Sequence, residues 1–443
     1  MVCTIRPLGP FVRYRATCQG WGLDALPVCV PIVDSDRMRE PSSHVAEVAR
    51  IALLSLTLVL AGCGSLPRNA VPPELKSQAV IPRMPDIRAI AGRPSAAMER
   101  DLKQSFAQER SADFPLAADG SVHYAHLALS GGGASGAFGA GFLNGWSSTG
   151  DRPVFKIVTG VSTGALMAPF AFLGPEYDNA LREFYTTTRT LDIFKLGSTL
   201  RRLLFGEALA DTRPLMALIE RHVDAGFMRK VAEAHEHGRR LYIGTADLDS
   251  RSFVVWNMGL IANSGRAEAL ELFRKVMLAS ASIPVAFPPV FFDVEVDGIR
   301  YDEMHVDGGV GARVFMHGGV FSSTIVRERG GRGKGREDIF VIHNGQLIPV
   351  PEPVRRSLPA IAMRVIDASG RAAVTGDLFR IYGAAMQQQA SFRWVTIPDD
   401  VSMDGDEVFD PVKMGKLYDI GYRMAIGGDA WAKVPPGLLG APQ

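Results

Sequence analysis

The chain has 443 residues, with 48 lysines and arginines against 47 acidic residues and a hydrophobic share of 47%. That balance excludes chain-wide disorder, a collagen-like repeat and a multi-span membrane protein, and it offers no cationic excess on which nucleic acid binding could rest. The length allows two or three domains, or one large α/β domain with appendages. All four cysteines, Cys3, Cys18, Cys29 and Cys63, precede residue 64. The body beyond them is therefore expected to have neither a disulfide frame nor a thiolate metal site.

Residues 51 to 62, IALLSLTLVLAG, form an apolar run. It is too short for a membrane span of about 20 residues but suits the h-region of a signal peptide. The run has no polar face, which argues against a soluble core helix, and it ends in Leu60-Ala61-Gly62-Cys63. This resembles the lipobox of bacterial lipoproteins, in which the cysteine becomes the acylated first residue after cleavage. A signal peptide starting at Met1 would have an overlong n-region, whereas a start at Met38 places Arg39 and Arg50 ahead of the run. Residues 1–37 are thus expected to be an over-extended translation start, and 38–62 the signal peptide. Residues 63–115 are expected to form the lipidated Cys63 and a proline-rich flexible tether. Gly64, standing where inner-membrane lipoproteins usually carry Asp, favours the periplasmic face of a bacterial outer membrane.

From His126 the pattern changes. An apolar strand at 126–130 leads into glycines at 131–133, and 134–146 has helix composition. Phe155–Val161 reads as a strand and Thr163–Leu173 as a helix. Strands at 241–248, 253–257 and 339–343 and an amphipathic helix at 266–281 follow. Strand-helix alternation with continuously apolar strands predicts an α/β fold with a mostly parallel central sheet covered on both faces. The expected catalytic domain is 120–350. Residues 351–443, helical over 357–390 and 411–431, are expected to pack on it. Arg327 to Arg336 (RERGGRGKGR) reads most simply as a solvated loop, with anionic headgroup contact as the alternative.

Three motifs carry chemistry. Gly131-Gly132-Gly133-Ala134-Ser135-Gly136, between strand and helix, can aim several N–H groups at one anionic atom. The same pattern suits a dinucleotide turn, but the next strand ends in a serine elbow and not in the acidic residue that would hold a ribose. That elbow is Gly160-Val161-Ser162-Thr163-Gly164, a G-x-S-x-G turn from strand to helix that exposes the serine hydroxyl. Alone, it could be a helix-capping serine. His305, His317 and His343 are candidate bases for it. The third motif is Asp307-Gly308-Gly309, where the glycines would let the carboxylate reach the serine; read alone it is a surface turn.

The order G-x-G-x-x-G, G-x-S-x-G, D-G-G resembles the patatin-like phospholipase family over about residues 124–345. Ala279-Ser280-Ala281-Ser282 and the prolines that follow are similar to the family's stretch before its catalytic aspartate. The resemblance implies a three-layer α/β sandwich and a Ser-Asp dyad. Ser162 would be the nucleophile, Asp307 the base, and the amides of Gly131, Gly132 and Gly133 the oxyanion hole. Gly136, Gly160, Gly164, Gly308 and Gly309 would shape the turns. It also implies a membrane-lipid substrate, with no cofactor and no metal. Ser135 departs from the family, which often has Arg or Lys there. A Ser-His-Asp esterase and a non-catalytic lipid-binding lipoprotein remain the alternatives. Phe138, Phe142, Leu166, Met167, Phe170 and Phe172 read more simply as core than as an acyl groove.

Overall fold

The structure is a computed structural model that describes residues 67–196, 208–317, 319–321, 335–348, 351, 353–402 and 407–438. The expected extension, the signal peptide, Cys63 and all but the end of Arg327 to Arg336 lie outside these residues. A nine-stranded sheet forms the centre. Its strands are β1 (Arg88–Ile90), β2 (Val122–Leu129), β3 (Phe155–Val161), β4 (Arg240–Asp247), β5 (Ser252–Asn257), β6 (Val290–Val296), β7 (Ile299–Asp307), β8 (Gly335–His343) and β9 (Ser391–Thr396). Strands β9, β8, β2, β3 and β4 run side by side and parallel. An antiparallel margin continues the order through β5 to β1, and β7 pairs antiparallel with both β4 and β6.

β3 and β4 are buried along their whole length because both faces of the parallel strands are covered. Side chains alternate: Leu127, Leu129, Val158, Leu241 and Ile243 enter one core with Phe138, Phe142, Met167, Phe170 and Phe172. Ala128, Ile157, Val161, Tyr242 and Val341 enter the opposite core with Met98, Leu102, Val374, Leu378 and Ile381. Helices α2 (Gly136–Ser148) and α3 (Thr163–Leu173) therefore flank one face, and α1 (Ala96–Ala107) and α8 (Leu358–Gln388) the other. Helices α4 (Asp178–Thr187), α5 (Arg213–His222), α6 (Ala225–Glu236) and α7 (Ala269–Ser280) complete the first side, and α9 (Pro411–Gly427) crosses α2. This is the mostly parallel α/β sandwich that the alternation predicts. Among the described residues no helix is long and apolar enough to cross a membrane.

Two boundaries differ from expectation. The tether expected over 63–115 is, from Pro67 on, part of the folded body. Val71, Ile81, Met84 and Ile87 are buried, β1 pairs with β5, and α1 is capped by the Ser95 side chain. Its prolines hid short bridges and a strand too brief to show periodicity. Charge holds this segment down. Arg68 bonds both Asp249 and Asp302, Lys76 lies 3.3 Å from Asp247, and Arg88 pairs with Glu303. His305 and Arg88 outweigh the effect of burial and hold the Glu303 carboxyl down at about 2. The second difference is in the C-terminal region, which does pack on the body but also supplies β9 to its sheet.

The Arg88–Glu303 pair is nearly dry, so removing one partner strands a charge. Arg88→Ala is expected to cost about 3 kcal/mol in urea unfolding, the low end for a broken buried pair, because Lys76 remains 3.8 Å from Glu303.

Candidate active site

The three motifs meet at the carboxyl edge of the parallel strands, where open α/β sheets commonly place their ligands. β2 ends in the glycine loop, β3 in Ser162, β8 in Asn344 and β7 in Asp307. Asp307 stands in register with Thr245 of β4.

Ser162 is buried, with φ 56° and ψ −125°. A non-glycine residue rarely adopts this conformation, and the strain amounts to roughly 1–3 kcal/mol. The flanking glycines make the turn possible: a Cβ on Gly160 would lie 2.3 Å from the Gly164 carbonyl, and one on Gly164 2.3 Å from that of Leu129. The Ser162 N–H donates to Ser280 Oγ at 3.0 Å, and the Ser280 hydroxyl donates to Gly244 O at 2.6 Å. Ser280 thus ties the elbow to β4. Thr163, one residue on, shares a 2.6 Å hydrogen bond with the buried Tyr185 hydroxyl, and Gly136 packs against both side chains.

Asp307 is buried. Its Oδ1 accepts the Gly309 N–H at 2.7 Å, while Oδ2 has no hydrogen-bond partner among the described residues. Desolvation pushes the carboxyl up to about 6, against the opposing pull of the Ser162 hydroxyl, Gly309 N–H and Arg313 charge. The Asp307 N–H donates to Ser282 O, and Gly308 packs against the Gly244 carbonyl, so the turn is braced on both sides.

The glycine loop lies over Ser162, with a Cβ on Gly131 falling 3.1 Å from that of Ser162. One expectation needs correction. The Gly131 N–H is not free for an oxyanion, because it donates to Arg313 O at 3.0 Å. The hydrogen bonds among the described residues leave the amides of Gly132 and Gly133 without acceptors, and Gly133 borders the cavity at Ser162. Asn344 wedges the loop. Its N–H donates to Ser130 Oγ, its amide nitrogen to Ser130 O, and its amide oxygen accepts the Gly139 N–H.

The histidines are committed elsewhere. His305 Nδ1 bonds Thr245 Oγ1, its Nε2 faces Glu303, and the ring packs against Trp256 and Phe292. His343 Nδ1 bonds Thr396 Oγ1, and burial lowers its pKa to about 4. His317 meets Phe321 and His126 edge-on in the opposite core. Asp247, Glu303 and His305 converge closely enough to hold a cation, but Lys76 and Arg88 already neutralise that cluster.

An apolar slot opens at Ser162 between Leu166, Ile193, Leu215, Phe287, Phe409 and Met414. Its volume is about 30 Å³, the space of roughly one water. A cleft of about 600 Å³ at α4 and α5 shares Phe184 and Thr188 with it. Of the six apolar candidates, Leu166 lines the slot, and the other five are core.

Sequence reasoning missed Ser280, Arg313 and Asn344 as site residues. Ser280 lay inside a stretch noted only as a resemblance. Asn344 was the one with a readable signal, a polar residue directly after an apolar strand. Arg313 had none, since its carbonyl acts through the chain and its side chain through space.

Residues 127–318 match the model of the patatin-like phospholipase family. A search of curated protein sequences finds no match. Among solved structures, the chain is similar to VipD from Legionella pneumophila, at 11% identity over 70% of this chain and 67% of that one, with a TM-score of 0.35. The type III effector ExoU, from Pseudomonas aeruginosa, gives 14% identity over 69% and 52%, with a TM-score of 0.29. Human GIVD cytosolic phospholipase A2 gives 12% over 64% and 51%, with a TM-score of 0.25. The chain thus spans about two thirds of the first and half of the other two, and scores this low carry no inference of their own.

Ionising Asp307 inside the fold is costly. A carboxyl raised from 3.8 to about 6 lends the fold its full contribution while protonated in both states, and that contribution is lost as pH rises from about 4 to 6. Above pH 6 the loss amounts to about 3 kcal/mol. Asp307→Asn, which keeps an acceptor for Gly309, is expected to raise thermal stability at pH 8 and to leave it unchanged near pH 3.5.

Proposed function

We propose that this chain, whose residues 127–318 match the patatin-like phospholipase family model, is an acyl ester hydrolase that cleaves acyl esters of membrane lipids through a Ser162–Asp307 dyad. The observation that carries the dyad is the buried Asp307 carboxylate, with one oxygen unpartnered, beside a serine in a strained elbow.

Ionised Asp307 takes the proton from Ser162 Oγ as that oxygen bonds to the ester carbonyl carbon. The carbonyl π electrons move to the oxygen, which the free amides of Gly132 and Gly133 stabilise; donors of this kind are each worth roughly 10² to 10³ in rate. The tetrahedral intermediate collapses, the alcohol leaves with the proton held by Asp307, and the acyl group stays on Ser162. Water then repeats the sequence and releases the fatty acid. Burial suits Asp307 to this work, since a carboxylate near 6 is a stronger base than one near 4 and is still ionised at neutral pH. The acyl chain would enter the slot below Ser162, whose walls must part to admit it.

Ser162→Ala and Asp307→Asn are each expected to lower turnover of a p-nitrophenyl acyl ester by roughly a thousandfold, because members of a catalytic unit fail together. The kcat/KM of the parent should rise with pH through an apparent pKa of about 6. Near-full activity in either variant refutes the dyad. Absence of fluorophosphonate labelling at Ser162 favours a lipid-binding role without turnover.

The reading includes an address. Cys63, after Leu60-Ala61-Gly62, is the acylated residue that holds the protein on the periplasmic face of a bacterial outer membrane. Metabolic labelling with a fatty acid should be lost in Cys63→Ser, and labelling that survives this change overturns the assignment.

A further inference from the structure

Helix α8 is 31 residues long, yet its first buried residue is Gly370. The preceding twelve, 358 to 369, extend about 18 Å without burying one side chain. Their composition is wrong for a free surface helix. Leu358 is 79% exposed, Ile361 50% and Val365 58%, at spacings that keep them on one side. The only acid, Asp367, is already paired with Arg371 at 3.0 Å. Immediately before the helix, Arg355 and Arg356 are both exposed. The overhang is thus an apolar face with a cationic foot.

It is rooted at the active site. Where burial begins, a Cβ on Gly370 would collide with the Arg313 guanidinium, and Arg313 Nη2 donates to Ile366 O at 2.9 Å. Arg313 in turn accepts the Gly131 N–H through its carbonyl and packs along Gly309. One residue therefore links the overhang to the glycine loop and to the turn that holds Asp307.

We propose that residues 355–365 are the element that seats the active site on a lipid surface with anionic headgroups: Leu358, Ile361 and Val365 enter the acyl boundary while Arg355 and Arg356 contact headgroup phosphates. An apolar helical face flanked by arginines is suited to that boundary, since it buries hydrocarbon and neutralises anionic lipid at once. This rests on the lipid-hydrolase reading and extends it, because a hydrolase of membrane lipids must bring its serine to an interface.

The test uses the full chain with Cys63→Ser, so that no acyl anchor masks binding, and with Ser162→Ala for the binding measurement. Sedimentation with vesicles of phosphatidylcholine and phosphatidylglycerol is compared with pure phosphatidylcholine. Replacing Leu358, Ile361 and Val365 by Asp should lower partitioning more than tenfold. Arg355→Glu with Arg356→Glu should abolish the preference for anionic vesicles. With Ser162 intact, the same variants should hydrolyse a short soluble ester at the parent rate and vesicle lipid at least tenfold more slowly. Variants that partition like the parent overturn the proposal. So does a parent that light scattering finds to be a dimer and the triple variant a monomer, which would give the face to a second copy. A parent inactive on the soluble ester refutes the hydrolase reading instead, while the vesicle experiment still decides the docking.

Discussion

A carboxylate taken out of water resists ionisation, and Asp307 is buried with one oxygen on the Gly309 N–H and the other unpartnered. Most of the surrounding structure keeps that residue dry and still. Its strand pairs with β4, the Ser282 carbonyl accepts its N–H, and Gly308 packs on the Gly244 carbonyl. The serine is held against the same strand by another route, since Ser280 joins the Ser162 N–H to Gly244 O. Gly244 of β4 is therefore a common foundation for Ser162 and Asp307. Their spacing depends on one strand position and not on two independent loops.

The parts outside the matched family region contribute to the same end. The segment from Pro67 to Ile90 neutralises the acidic cluster of Asp247, Asp249, Asp302 and Glu303, the last of them four residues before Asp307, with Arg68, Lys76 and Arg88. Without those cations, Asp247, Asp249, Glu303 and Asp302 would repel one another where β4 pairs with β7. The C-terminal region closes the other margin. β9 pairs with β8, which carries Asn344 to the glycine loop, and α9 crosses close over α2 where Gly141 and Gly421 meet backbone. Ser135 leaves the loop without a basic side chain. A positive charge that acts on Asp307 comes instead from Arg313, six residues beyond it.

Strand and helix positions in the body were readable because buried parallel strands are continuously apolar and helices between them are long. The same rule failed between residues 67 and 90. There the segment gains stability from ion pairs with residues more than 150 positions away, and no local period records such pairing. The three motifs were legible as turns because their glycines have steric reasons that hold locally, such as the 2.3 Å approach between Gly160 and Gly164. Which amide is free was not. The Gly131 N–H is used by a carbonyl 182 residues along the chain, and only folding brings the two together.

By itself, the sequence determined the layer architecture and the strained position of the serine, because backbone sterics and hydrophobic period act over a few residues. Tertiary structure alone decided which of several acids and histidines stands beside Ser162, since that choice depends on antiparallel pairing of β7 with β4. It also decided the basicity of Asp307, which comes from burial by distant elements, and the width of the slot. Long-range packing and desolvation have no local signature, so chemistry that depends on them appears only once the chain is folded.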